Sequence, residues 1–141
     1  MAGDAGALVA GFYENFNNNE VDAAVSVFSE ELETIDPGMG TVHGIEPFRD
    51  YLETFKRAMP DARAVIEQQY ESGETVMVEG RFLGTHTGPL AGEDGDIEAT
   101  GKSVDLRFAD FSRVSEGKIA SYHTYYDQVG LLTQLGLMDD S

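Results

Sequence analysis

The chain has no cysteine and few basic residues. Its 141 residues include nine Lys and Arg against 26 Asp and Glu, which gives a formal net charge of -17. Without cysteine there is no disulfide, no thiolate metal site and no cysteine nucleophile. A polyanion of this strength is repelled by nucleic acid and by anionic membrane surfaces, so we expect neither as a partner.

Long apolar runs are also missing. The longest are only a few residues, too short to span a membrane. The start, Met1-Ala2-Gly3-Asp4, lacks the basic segment and long apolar segment of a signal peptide. We therefore expect a cytoplasmic protein. The length favours a single domain over residues 1–141, and a hydrophobic fraction of 41% is enough for a core.

The acidic residues are spread along the chain among six Tyr and eight Phe. A disordered acidic region would concentrate its charge and lack aromatic residues. An acidic surface with only three lysines resembles the surfaces of halophilic proteins, because at about 1 M salt the screening length falls to about 3 Å and carboxylates repel one another little. An ordinary acidic cytoplasmic protein is the alternative.

Two periodicities divide the chain. Apolar residues at helical spacing predict three helices, at about 4–17, 21–28 and 45–59, and a last helical turn near 131–137. After a brief strand at 32–36, four longer strands are predicted, at 62–71, 75–87, 98–114 and 118–128. This order predicts an α+β fold, with a curved antiparallel sheet wrapped around the N-terminal helices as a cone with an internal pocket.

Four stretches carry a family resemblance. They are Gly44-Ile45-Glu46-Pro47-Phe48, Met59-Pro60-Asp61, the segment from Gly84 to Leu90, and Gly117-Lys118-Ile119 followed by Asp127 and Gln134-Leu135-Gly136. In these motifs, and in its order of elements, the chain resembles the SnoaL-like polyketide cyclases (the ester cyclase family) of the NTF2-like superfamily. The resemblance runs from about Leu8 to Leu137.

The resemblance implies an activity. Members of the family close a ring by intramolecular aldol condensation, without metal or cofactor, on a hydrophobic carbonyl compound. An aspartate late in the last strand takes and returns the proton, and Asp127 is the matching position. This chemistry needs a carboxyl group with a raised pKa in an apolar pocket. The alternative for Asp127 is a helix N-cap, where backbone amides would lower its pKa.

Alternation along the last strand extends the candidate site. Ile119, His123, Tyr125 and Asp127 would share one face, so an inward Asp127 implies an inward His123 and Tyr125. We expect His123 and Tyr125 to orient substrate or donate to an enolate. Since four strand residues span about 13 Å, His123 cannot reach Asp127 directly.

The other histidines are weaker candidates. His86 either donates to a substrate carbonyl at the pocket rim or anchors the following loop through backbone hydrogen bonds. His43 is expected on the surface. The three histidines show no paired spacing, so no metal site is expected. The glycine-rich segment 88–101 is no phosphate loop and is either a lid or a long hairpin connection.

Ketosteroid isomerases of the same superfamily suggest a second chemistry. Their base is an aspartate before a proline, which Asp36 resembles, and Asp110 with Arg113 resembles their protonated aspartate and its arginine. The expected oxyanion-hole tyrosine is replaced by Phe12, and Tyr13, rotated by about 100°, is expected to face elsewhere. A two-residue turn at Ser115-Glu116 would pair Asp110 with Ser121, and a one-residue slip would send it to the opposite face.

Five phenylalanines are candidate apolar walls for a hydrophobic ligand: Phe12, Phe16, Phe55, Phe82 and Phe108. A third class of function is a non-catalytic ligand-binding domain, which would lack a carboxyl group with a raised pKa. The family resemblance also implies a homodimer formed through the outer face of the sheet.

Overall fold

A computed structural model describes residues 2–38, 40–92 and 95–137. In these ranges the helices are α1 (Ala2–Asn17), α2 (Val21–Val25), α3 (Ile45–Ala58) and α4 (Gln128–Gln134). The strands are β1 (Phe28–Asp36), β2 (Gly40–His43), β3 (Arg63–Ser72), β4 (Thr75–Thr85), β5 (Leu90–Gly92), β6 (Gly95–Ile97), β7 (Ser103–Ser115) and β8 (Lys118–Tyr126). None of the described helices is long and apolar enough to cross a membrane.

Six strands form one sheet in the order β2-β1-β8-β7-β4-β3. All neighbours pair antiparallel except β1 and β8, which are parallel. Helix α1 packs on the inner side of this sheet, where Val9, Phe12, Tyr13 and Phe16 are all buried. The predicted α+β fold, a curved sheet around helices, is confirmed.

Helix α3 closes the open side of the sheet. It begins after Gly44, whose φ of 101° is a conformation that suits glycine, and it ends at Ala58, before Pro60. Phe48 and Leu52 form its buried stripe, and Lys56 and Arg57 occupy the last turn, where positive charge is favourable. The helix predicted at 45–59 is thus correct to within one residue.

Several elements differ from the sequence-based expectation; β1 begins at Phe28 rather than at 32, and β7 begins at Ser103 rather than at 98. Helix α2 ends at Val25, because Phe28 already belongs to β1, and the short strand β2 was not predicted. The segment after β4 contains the hairpin β5–β6, the second of the two alternatives for residues 88–101. The hairpin is tied to α3 by an Arg57–Asp96 ion pair of 2.6 Å and by a hydrogen bond from Gly88 N to Ala58 O.

The connection between β7 and β8 sets the orientation of the candidate site. The turn is Glu116-Gly117, with φ of 53° and 78°, as in a type I′ hairpin turn. Val114 pairs with Ile119, but Arg113 pairs with Ser121, so Ala120 is an extra residue in a β-bulge. Because of the bulge, the buried positions on β8 change from Ile119 to Tyr122 and Thr124.

Candidate active site

A cavity opens between α1, α3, α4 and the inner face of the sheet. The empty space among its lining residues is about 620 Å³ with the open mouth included. All five phenylalanines predicted as apolar walls line it: Phe12, Phe16, Phe55, Phe82 and Phe108. Leu52, Ala64, Leu106 and Leu131 add to this apolar lining.

Asp110 forms the polar floor of the cavity together with three hydroxyl side chains. Its side chain is 1% exposed. Tyr13 Oη donates a 2.5 Å hydrogen bond to Asp110 Oδ2, and Tyr122 Oη donates one of 2.8 Å to the same oxygen. Thr124 lies opposite Asp110 on β8 and also lines the cavity. We call these four residues the Asp110 cluster.

Burial raises the pKa of Asp110 to about 6, because the charged form loses its hydration. The hydroxyls of Thr124, Tyr13 and Tyr122 lower this pKa, while the negative charge of Asp36 raises it. Burial and the neighbouring carboxylate also raise the pKa of Tyr13 and Tyr122, so both tyrosines keep their protons. A carboxyl group with a pKa near neutrality can both accept and return a proton.

Asp36 forms a second polar cluster with Tyr51 and Tyr126. The Asp36 side chain is 2% exposed, and its Oδ2 accepts a 2.7 Å hydrogen bond from Gly38 N. Tyr51 and Tyr126 line the cavity and hydrogen-bond to Asp36, and burial and Asp36 raise the pKa of both. Because Ile35 pairs with His123, Asp36 lies beside Thr124, in the same row across the sheet as Asp110.

Asp127 does not lie in the cavity, contrary to its expected inward orientation. It is exposed and is the N-cap of α4, where its Oδ1 accepts a 2.9 Å hydrogen bond from Gly130 N. The strand ends at Tyr126, so alternation no longer determines the direction of the Asp127 side chain. The alternative role, a helix cap, is the one that the structure gives it.

His123 and Tyr125 share a face as predicted, but it is the outer face of the sheet. His123 Nε2 lies 2.9 Å from Glu33 Oε1, and Tyr125 is 49% exposed with its ring 5.9 Å from that of Phe111. The bulge at Ala120 is the reason, because it reverses which residues of β8 point inward. The expectation that these two side chains enter the pocket is therefore wrong.

His86 anchors the loop that precedes β7. It is fully buried; its Nδ1 accepts a 3.2 Å hydrogen bond from Thr100 N and lies 3.0 Å from Thr100 Oγ1. Its backbone pairs with Lys102 and Gly101. This is the second of the two interpretations of His86, and the side chain is not part of the cavity lining.

The sequence reasoning missed four tyrosines of the site: Tyr13, Tyr51, Tyr122 and Tyr126. Tyr13 was expected to face away because Phe12 occupies the matching position. The side chains of Phe12 and Tyr13 both face the interior, because the sheet surrounds α1 and buries a wide face of the helix. The turn is not at Ser115-Glu116, so the pairing of Asp110 with Ser121 that such a turn would give does not occur, and Asp110 pairs with Thr124. The alternation of side chains along β8 would have indicated Tyr122 and Tyr126 if it had been shifted by one residue.

Cationic groups are absent from the described lining of the cavity. The nearby Lys56 lies 4.1 Å from the ring centre of Phe16, and its Nζ donates a 2.5 Å hydrogen bond to Ala62 O. Burial lowers its pKa to about 8. No group of three or more His, Asp or Glu side chains in the described part of the chain has a geometry suited to a metal ion.

The chain belongs to the SnoaL-like polyketide cyclase family, whose model matches residues 7–135. Among curated proteins none matches the chain. The family that the motifs indicated is thus confirmed.

Solved structures share the fold over nearly the whole chain. A candidate SnoaL-like polyketide cyclase from Jannaschia sp. CCS1 is 17% identical, with a TM-score of 0.85 over 99% of this chain and 96% of its own. A candidate polyketide cyclase from Pseudomonas putida KT2440 is 25% identical, with a TM-score of 0.79 over 93% and 97%. A protein with a ketosteroid isomerase-like fold from Catenulispora acidiphila, solved with trimethylamine, is 19% identical, with a TM-score of 0.76 over 95% of each chain.

Proposed function

We propose that the chain catalyses proton transfer next to a carbonyl group of a small hydrophobic compound, as a cyclase or isomerase, with Asp110 rather than Asp127 as its acid-base group. The observation that carries the proposal is the position of Asp110. It is a buried carboxyl group on the floor of an apolar cavity, held by Tyr13 and Tyr122 at 2.5 and 2.8 Å. No cofactor is required for this chemistry.

The proposed step begins with ionised Asp110. Its carboxylate takes a proton from the carbon beside the carbonyl, the C–H electrons form an enolate, and the negative charge moves to the carbonyl oxygen. The enolate carbon then attacks a second carbonyl, and Asp110 returns the proton to the new alkoxide; in an isomerase the proton returns to another carbon. The enolate charge is delocalised onto this oxygen, and the apolar lining of the cavity keeps water away from it.

Hydrogen-deuterium exchange tests the proposal without knowledge of the product. Polycyclic polyketide esters and ketosteroids are incubated with protein in D2O, and deuterium at the carbon beside the carbonyl is followed by mass spectrometry. We expect Asp110→Asn to slow the exchange at least about 100-fold, the usual contribution of a general base. Asp127→Asn is the matched control and should exchange at the wild-type rate. Wild-type exchange in Asp110→Asn would refute the role of Asp110.

The second candidate is proton transfer by Asp36, as in the ketosteroid isomerases that Asp36-Pro37 resembles. The observation that favours it is the burial of Asp36 beside Tyr51 and Tyr126, which both line the cavity. In that case Asp36→Asn abolishes exchange and Asp110→Asn only weakens it. Retention of exchange in Asp36→Asn together with its loss in Asp110→Asn excludes this candidate.

A ligand-binding domain without turnover remains the third class. The protein from Catenulispora acidiphila shows that a similar fold has been observed with a small organic molecule, trimethylamine. The raised pKa of Asp110, to about 6, favours chemistry over simple binding, because a binding domain has no need of it. Saturable binding of the panel with no exchange for any member would assign the chain to this class.

We also propose that the chain forms a homodimer through the outer face of the sheet, as the family resemblance implied. Tyr70, Met77 and Phe111 are paired across β3, β4 and β7. Phe111 is 40% exposed and packs on Tyr125, which is 49% exposed. Contiguous exposed aromatic side chains of this kind mark interaction surfaces.

A further inference from the structure

The hydroxyl protons at the floor of the cavity are already in use. A tyrosine hydroxyl carries one proton. Tyr13 donates its proton to Asp110 Oδ2 at 2.5 Å, and Tyr122 donates its proton to the same oxygen at 2.8 Å. Thr124, which lies opposite Asp110 on β8, lowers the pKa of Asp110 as the two tyrosines do. The two tyrosines of the Asp110 cluster therefore have no spare proton to offer a ligand.

The same cluster has unused lone pairs. An ionised carboxylate has about four acceptor positions and no donor. Asp110 Oδ1 is buried and has no hydrogen-bond partner among the described residues. Asp110, which lines the cavity, therefore carries a buried acceptor oxygen that no described residue satisfies.

The walls near this floor cannot supply the missing proton. The apolar lining contains only Phe, Leu and Ala side chains, and the remaining hydroxyls, on Tyr51 and Tyr126, are engaged with Asp36. A ligand carbonyl pushed against Asp110 would meet a negative oxygen without a donor between them. Such a buried, unsatisfied acceptor weakens binding.

We infer that the floor of the cavity selects a ligand that presents a hydroxyl donor, the O–H of a phenol or of an enol, and that Asp110 determines this selectivity. The inference rests on the proposed function and deepens it, because it names the ligand group that meets Asp110. A neutral hydroxyl is favoured over an ammonium group because an apolar cavity penalises a charged ligand far more strongly. With an enol ligand, the O–H proton passes to Asp110 Oδ1 and the electron pair stays on the enolate oxygen.

Three ligands of similar shape test the inference by equilibrium binding at pH 8. They are 4-hydroxybiphenyl as the donor, 4-methylbiphenyl as the shape control and 4-acetylbiphenyl as the acceptor. At this pH Asp110 is ionised, since its pKa is about 6, and the phenol keeps its proton, since phenols of this type have a pKa near 10. We expect the wild type to bind the phenol at least about tenfold more tightly than either analogue, as one hydrogen bond to a charged group provides.

Asp110→Asn gives the sharper result. The amide oxygen of Asn can accept from Tyr13 and Tyr122, which leaves the NH2 group at the position of Oδ1. The floor then becomes a donor, and we expect the preference to invert in favour of 4-acetylbiphenyl. Asp127→Asn, which changes a carboxyl group outside the cavity, should keep the wild-type order. Melting curves establish that both variants are folded.

Several results would overturn the inference. They are equal or tighter binding of 4-acetylbiphenyl by the wild type, an unchanged order in Asp110→Asn, tighter binding of 4-phenylbenzylamine than of the phenol, and no binding of any biphenyl. Selectivity for the phenol without carbon exchange in D2O would leave the inference standing and remove the proposed catalysis. Carbon exchange in D2O without selectivity for the phenol would leave the proposed catalysis standing and remove the inference.

Discussion

Tyr13 and Asp110 stand 97 residues apart in the chain, and their side chains meet in a buried 2.5 Å hydrogen bond. The contact exists because the Tyr13 side chain reaches from α1 to β7, where Asp110 is buried and where the Tyr13 ring also stacks on Phe108. Tyr13 keeps its proton, since burial and the neighbouring carboxylate raise its pKa. The pair therefore fixes the orientation of the one carboxyl group that lines the described cavity.

Removing this hydrogen bond should change the acidity of Asp110. In Tyr13→Phe we expect its pKa to rise above about 6 by about one unit or more, because a hydrogen bond to a charged group contributes about 1.5–3 kcal/mol. The titration can be followed by NMR of the carboxyl carbon. Tyr125→Phe removes a hydroxyl on the outer face and should leave the titration unchanged. An unchanged pKa in Tyr13→Phe would contradict the assignment.

The stability of the protein should depend on the ionisation of Asp110. Its folded-state pKa of about 6 lies above the unfolded value of 3.8, so the folded state holds the proton more tightly. This contribution is fully present only well below the unfolded pKa of 3.8 and is lost as the pH rises through about 6. Relative to Asp110→Asn, the wild type should therefore lose about 2 kcal/mol of unfolding free energy between pH 4 and pH 7.

Asp61 provides a control of opposite sign. Its pKa is lowered, chiefly by the backbone N–H of Thr85, which donates a 2.8 Å hydrogen bond to its carboxylate. Its contribution is present above the unfolded pKa and is lost as the pH falls through the folded pKa. The difference between wild type and Asp61→Asn should thus grow with pH, whereas that for Asp110→Asn should shrink. Urea unfolding at a series of pH values measures both, and parallel trends would contradict the prediction.

Asp127 should behave as a helix cap in every measurement. Asn caps a helix as well as Asp does, so Asp127→Asn should keep both stability and activity. Asp127→Ala removes the acceptor for Gly130 N and should cost about 1 kcal/mol of unfolding free energy. Thermal and urea unfolding of the pair tests this. Loss of activity in Asp127→Asn with unchanged stability would restore Asp127 as the catalytic base.

The dimer proposal predicts a change of mass in solution. Phe111→Arg places a charge among the exposed aromatic side chains on the outer face of the sheet. It should shift the protein towards the monomer in light scattering. Val129→Arg is the matched control, because Val129 is 60% exposed and lies on α4. A wild type that is monomeric at all concentrations would remove the proposal.

The halophile hypothesis predicts a dependence on salt. With a net charge of -17, the repulsion among surface carboxylates should weaken as KCl is raised from low to molar concentration. The melting temperature should then rise over this range. A matched series in glycerol separates screening from a general cosolvent effect. No gain in KCl would favour an ordinary acidic protein.

The sequence alone determined the class of the fold. Helical spacing in α1 and α3, the change to strand period after Pro60 and the turn residues of the hairpins gave the α+β order, because these signals are local. The motifs from Gly44 to Gly136 indicated the family that the comparison then showed. The five phenylalanines of the cavity wall could also be predicted from the sequence, because large apolar residues at regular spacing indicate the buried face of a helix or strand.

The tertiary structure decided which carboxyl group faces the cavity. Alternation from Ile119 to Asp127 pointed to the wrong face, because one extra residue at Ala120 reverses every side chain after it. The pairing of Tyr13 with Asp110 depends on how α1 lies in the sheet, which no local pattern encodes. A bulge and a long-range packing angle are properties of the assembled sheet, and together they moved the candidate chemistry from Asp127 to Asp110.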